Sequence, residues 1–118
     1  MLTGLLLKES LFDLDVLDCL NITKTEIWHV TNAAEFQPVV WTALSFEVGT
    51  AGADSVVEKL SRALKPQWYI DARLGDEVIV IFPDRIFRYW RGDHIGKAAA
   101  QAYAQAIGIP PSQIDWGD

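Results

Sequence analysis

Cysteine is almost absent from this chain: Cys19 is the only one in 118 residues. No intramolecular disulfide can form, and no multi-cysteine zinc site can brace the fold. A reducing compartment suits such a chain, and the expected location is cytoplasmic. Histidine is nearly as scarce, with His29 and His94 alone. Together with Cys19 and scattered carboxylates they show no metal-ligand spacing, so neither metal nor cofactor is expected. No Gly-x-Ser-x-Gly elbow occurs, and no residue is nominated as catalytic. Positive charge is in deficit, ten Lys and Arg against sixteen Asp and Glu for a net charge of -6. That balance excludes an extended nucleic-acid coat or an anionic-membrane binder. No apolar run approaches the roughly 20 residues that cross a bilayer. Residues 1–9 lack the basic start and apolar length of a signal peptide, so no membrane is expected as a partner. Linkers, internal repeats and low-complexity tracts are missing too, and 1–118 reads as one domain.

What is present is core-forming material. Half the residues are hydrophobic and five are tryptophan, enough for a chain of this length to bury about two thirds of its unfolded surface. Residues 2–7 are an apolar run short enough for a buried strand. Ser10 and Asp13 have capping-box spacing, and Phe12, Val16 and Leu20 recur at helical intervals. These predict a helix over 11–20 with Asp13, Asp15 and Asp18 outward and Cys19 in the core. Residues 25–31 and 39–48 alternate and carry β-branched and aromatic side chains, as strands do. In the second, Val40, Leu44, Phe46 and Val48 share one face, while Trp41, Ser45 and Glu47 share the other.

A helix over 54–65 follows Gly52, has Asp54 or Ser55 as its cap, and stops at Pro66. Its buried stripe is Val57, Leu60 and Leu64; Glu58 and Arg62 form an exposed pair four residues apart. Three strands follow at 67–73, 77–82 and 85–90, joined by Leu74-Gly75-Asp76 and Pro83-Asp84 as turns. The middle strand, apolar at every position from Val78 to Phe82, should be covered on both faces. The last helix, 93–107, has Asp93 as N-cap and Gly108 past its end. Its expected inner face is Ile95, Ala99, Ala102, Tyr103 and Ala106, and the apolar tail after it should dock on the body. The element order β-α-β-β-α-β-β-β-α defines an α+β domain of two layers. It has a mostly antiparallel sheet of about five to six strands with helices packed on it.

Two stretches carry candidate chemistry. Segment 85–97 holds four Lys or Arg and one Asp, a local +3 inside an acidic chain, interleaved with aromatics and leading into a helix N-terminus. Arg88, Arg91, His94 and Lys97 are therefore candidates for an anion. Against this, Arg88 falls on the opposite strand face from Arg91, and Asp93 stands where a phosphate would approach. The favoured account has these arginines pair with the surplus acids and pack their stems on Trp90 and Tyr89. Gly92-Asp93-His94-Ile95-Gly96-Lys97 is one residue short of a phosphate loop and lacks its Ser or Thr. The second stretch is the loop from Thr31 through Asn32 to Pro38, set between strands that carry Trp28 and Trp41. Trp28, Glu35, Phe36, Trp41 and Trp68 are the candidates there for a ligand pocket or an interface, with Phe36 as a simple lid on the core as the alternative.

Taken together, Gly4-Leu5-Leu6-Leu7-Lys8-Glu9-Ser10-Leu11, Ile22-Thr23-Lys24-Thr25-Glu26-Ile27-Trp28, Trp41-Thr42-Ala43-Leu44, Val80-Ile81-Phe82-Pro83 and Gly108-Ile109-Pro110-Pro111-Ser112-Gln113 carry a resemblance over the whole chain. It resembles a family of small, uncharacterised bacterial cytosolic proteins. The resemblance implies a free-standing domain and assigns no activity or site residue.

The functional expectation is a small, acidic, non-catalytic binding or protein-interaction domain. It would be self-associating or inhibitor-like, with Asp13, Asp15 and Asp18 as one acidic patch, because Trp and Tyr anchor interfaces. The alternatives are a small-molecule or nucleotide binder using 85–97, and a small enzyme with no recognisable motif.

Overall fold

The computed structural model describes residues 1–31 and 33–117. Asn32, part of the candidate loop, lies outside the described residues. Six strands form one sheet: β1 (Leu2–Leu7), β2 (Asn21–His29), β3 (Val40–Val48), β4 (Ile70–Leu74), β5 (Glu77–Phe82) and β6 (Arg85–Trp90). Their spatial order is β2-β3-β1-β4-β5-β6, and every neighbouring pair is antiparallel. Two helices, α1 (Ala53–Ala63) and α2 (His94–Ala106), pack on the sheet. The α+β class and the antiparallel sheet of the sequence reading are thus the observed ones. Among the described residues no helix is long and apolar enough to cross a membrane.

Antiparallel pairing places directly opposed residues on one face, so rows can be read across the whole sheet. One row runs Ile22, Phe46, Gly4, Ala72, Ile79, Arg88 from β2 to β6. It is apolar up to the last edge, and α1 covers this face through Val56, Val57 and Leu60. Gly4 is needed here: a Cβ would stand 2.8 Å from the Phe46 ring. The adjacent row, on the other face, runs Lys24, Ser45, Leu5, Asp71, Val80, Phe87. It changes from polar to apolar at β5. There α2 and the C-terminal tail form a second core, with Val78, Val80 and Phe82 against Ala100, Ala104, Ile109 and Trp116. Strand β5 is accordingly covered on both faces, as its uninterrupted apolar sequence requires. Two layers therefore describe the β1–β3 half, and α2 adds a third over β5 and β6.

The turns follow their residues. Gly75 at φ 62° and Asp84 at φ 56° make the left-handed turns on either side of β5, and Asp93 accepts from the backbone N–H groups of Ile95 and Gly96 to cap α2. The tail docks as expected, with the Trp116 indole donating to the Tyr89 hydroxyl at 2.7 Å.

Several local expectations are corrected. No α-helix spans 11–20; the chain makes short 3₁₀ turns at Lys8–Ser10 and Leu14–Cys19 instead. Between them Leu11 is extended and bridges Leu64, with Phe12 donating to Ala63 and Lys65 to Ser10. That pairing takes the backbone groups a helix would need. The Ser10 hydroxyl donates back to Leu7 rather than capping forward. Phe12 is consequently 66% exposed, and Cys19 is exposed rather than in the core.

In α1 the N-cap is Gly52, with no side-chain cap, and Asp54 stands in the first turn. Strand β4 starts at Ile70, because Gln67 takes a left-handed turn before it. The inner face of α2 is also rotated from the expected one. Gly96, Ala100 and Ala104 face the sheet, whereas Ile95 is 85% exposed. Gly96 decides the rotation, since a Cβ there would stand 2.5 Å from the Cβ of Tyr89.

Candidate functional site

Where α2 stops covering the sheet, a cleft of about 520 Å³ opens over the ends of β1 to β4. Its floor follows from the register. Leu5 and Leu7 point to this face from β1, Asp71 lies beside Leu5 on β4, and Trp41 pairs with Trp28 across β3 and β2. Gln67, Trp68 and Tyr69, on the approach to β4, form one wall, and Ser112, Gln113 and Asp115 of the tail form another. The tail is held there by reciprocal hydrogen bonds between the side-chain amides of Gln37 and Gln113, each NH2 donating to the other's carbonyl, at 2.7 and 2.9 Å. The backbone of Gln113 also accepts from the Tyr69 hydroxyl.

Of the residues expected to bind, Trp28, Trp41 and Trp68 do come together on this cleft. Only Trp28 is substantially exposed, at 37%; Trp41 and Trp68 are buried, at 8% and 6%. They meet edge to face, with ring centroids 5.5 Å apart, and the Trp41 indole donates to the Pro38 carbonyl. Phe36 rests edge-on against Trp68 from outside, and Glu35 is exposed in the loop; neither lines the cleft.

The charged groups were not singled out by sequence. Asp71 is half-buried, and its Oδ2 lies 3.2 Å from the Arg73 guanidinium, whose other nitrogen donates to Gly117. Burial pushes the Asp71 carboxyl above its usual range, and the Arg73 cation opposes that shift. Burial, reinforced by Asp71 and Asp115, raises the Tyr69 phenol, which stays neutral. One signal for this face was present in Tyr69-Ile70-Asp71-Ala72-Arg73, where polar groups alternate with apolar ones. Asp115, on an irregular tail, gave none.

Segment 85–97 is built differently. Arg88 points to the α1 side, where Asp54 at 2.9 Å and Glu77 at 2.8 Å hold its charge, and the bond to Glu77 leads in raising its pKa. Arg85 lies over the rings of Phe87 and Tyr103, at 4.9 and 5.5 Å. His94 and Lys97 belong to α2 on the opposite face, and Arg91 follows the end of β6. The structure thus does not gather Arg88 with His94 and Lys97. The carboxylate of Asp93 already takes the N–H groups that an anion would use at the start of α2.

The fold and the cleft define an α+β domain with one sheet face left open over half its width. No protein-family model matches the chain, and no curated protein or solved structure matches it significantly.

Proposed function

We propose that this is a non-catalytic binding domain whose ligand enters the aromatic cleft over β1 to β4. One observation carries the reading. The sheet face that α2 buries over β5 and β6 is left open beside it, and three tryptophans converge there with Tyr69 around a cavity of about 520 Å³, within the usual size of small-molecule pockets. Its lining joins indole and aliphatic side chains to hydroxyl, amide, imidazole and carboxylate groups, a set that can pack the apolar part of a ligand and orient its polar part. A reducing, cytoplasmic setting is part of the proposal and suits the single exposed thiol of Cys19.

Tryptophan fluorescence tests it directly. A chemically mixed panel of small molecules should include compounds that shift the emission and raise the melting temperature, with both effects lost in Trp28→Ala and kept in Trp90→Ala. Trp90 is exposed on the far edge strand. A panel in which no compound acts, or one in which Trp28→Ala changes nothing, overturns the reading.

A second reading, a protein partner or a second copy of the chain, is favoured by exposed apolar residues at the same end: Ile27, Phe36, Val39 and Val40. Sedimentation across a wide concentration range checks self-association. A mass that stays monomeric counts against it.

A further inference from the structure

We infer that the cleft selects an organic cation, an alkylammonium group packed against its tryptophans and facing the carboxylates of Asp71 and Asp115. The inference rests on the proposed binding role and names the ligand chemistry of that same cleft. Among the described residues two carboxylates line it and no Lys or Arg does, while the imidazole of His29 borders it from an exposed position. Arg73, beside the cleft on β4, is paired with Asp71 and turned to the Gly117 carbonyl. Asp115 is exposed and accepts a long 3.5 Å hydrogen bond from the Tyr69 hydroxyl.

Charge therefore sorts the ligand classes. An anion entering the cleft would meet the carboxylate of Asp115 and that of Asp71, the latter offset in part by Arg73, in a partly desolvated space. A neutral apolar ligand would strip water from the carboxylates and return nothing to them. A cation offsets that loss, and its attached methyl or methylene groups gain from indole rings, the most favourable aromatic surface for a positive charge. Tyr69, kept neutral, adds a further ring without adding charge.

The probe pair is choline and its uncharged carbon isostere 3,3-dimethylbutan-1-ol, titrated against the intact protein by tryptophan fluorescence. Choline should bind at least about tenfold more tightly than the isostere. Asp115→Asn, at an exposed position, should bring that ratio toward one, and Asp71→Asn should do the same. Trp28→Ala should weaken both probes. Equal binding of the two probes overturns the cation inference and leaves the binding role standing. So does a choline preference that survives both Asn variants, or a panel in which only uncharged or anionic compounds reach the cleft. Silence from every compound, charged or not, overturns the binding role itself.

Discussion

The two halves of one sheet face differ more than the two faces do. On the α2 side, β5 and β6 carry Val78, Val80, Phe87 and Tyr89 against a helix, whereas β2, β3 and β1 present Lys24, Glu26, Ser45, Glu47 and Thr3 to solvent. A continuous hydrogen-bonded sheet runs beneath both. Coverage is therefore set by side chains and by how far a 13-residue helix and a short tail can reach, not by the strand pairing. The boundary falls at β4, where Asp71 and Arg73 replace apolar residues, and the cleft lies along that boundary. Stability is concentrated on the covered side and binding chemistry on the open side.

The largest effect expected on this comparison comes from the covered half. Phe82 is fully buried among Tyr69, Phe87 and Tyr103, and Phe82→Ala should cost about 3–5 kcal/mol in urea denaturation. A loss below about 1 kcal/mol would show that α2 is not a true third layer. Gly96→Ala should cost about 1–3 kcal/mol: the gain in helix propensity, about 1 kcal/mol, is outweighed by pushing α2 off Tyr89. A stabilised variant would mean that the helix can slide freely over β6. Asp93→Ala removes the acceptor for two N–H groups of α2 and should cost about 1 kcal/mol.

On the open side, Leu5→Ala deletes more carbon than Val80→Ala in the same row, yet should cost only about 1 kcal/mol or less because Leu5 is half-buried on the cleft floor. A cost equal to that of Phe82→Ala would erase the distinction between the halves.

The smallest effect is on pH dependence. Asp71 has a folded-state pKa raised above its ordinary 3.8, so between those two values the folded chain holds more protons than the unfolded one. Stability contributed by this group is therefore greatest below 3.8 and falls as pH rises through the raised value. Asp71→Asn should remove that decline from the stability profile measured by urea titration at successive pH values. An unchanged profile would show that Arg73 cancels the cost of burial completely.

Much of the architecture was legible in local pattern. Strands β5 and β6 begin and end where the apolar run and the turn residues place them, because Gly75 and Asp84 sit at positions that need positive φ. The caps of α2 were legible for the same reason: Asp93 and Gly108 satisfy local backbone geometry. The expected helix at 11–20 was not, because the pairing of Leu11 with Leu64 is a contact between residues far apart in sequence. The face of α2 was misread by hydrophobicity: Ile95 is the larger apolar residue, but only the missing side chain of Gly96 lets the helix approach Tyr89.

For the candidate site the division is similar. Trp28, Trp41 and Trp68 stood out as rare, large residues near strand ends, and they share the cleft. Asp71, Tyr69 and Asp115 did not stand out, since carboxylates are common in an acidic chain and nothing local marks which of sixteen acids the fold will partly bury.

Composition and pattern by themselves determined the α+β class, the strand–turn–strand run from β4 to β6, the capped last helix and the lack of metal-type ligand spacing. Each rests on interactions within a few residues or on the bulk supply of apolar side chains. Tertiary structure alone decided that α1 and α2 take opposite faces, that Arg88 is spent on Asp54 and Glu77, and that an acidic, tryptophan-lined cleft opens beside α2. Those outcomes depend on which distant strands become neighbours. The register that puts Leu5 beside Asp71 joins residues more than sixty positions apart, a distance over which no local periodicity speaks.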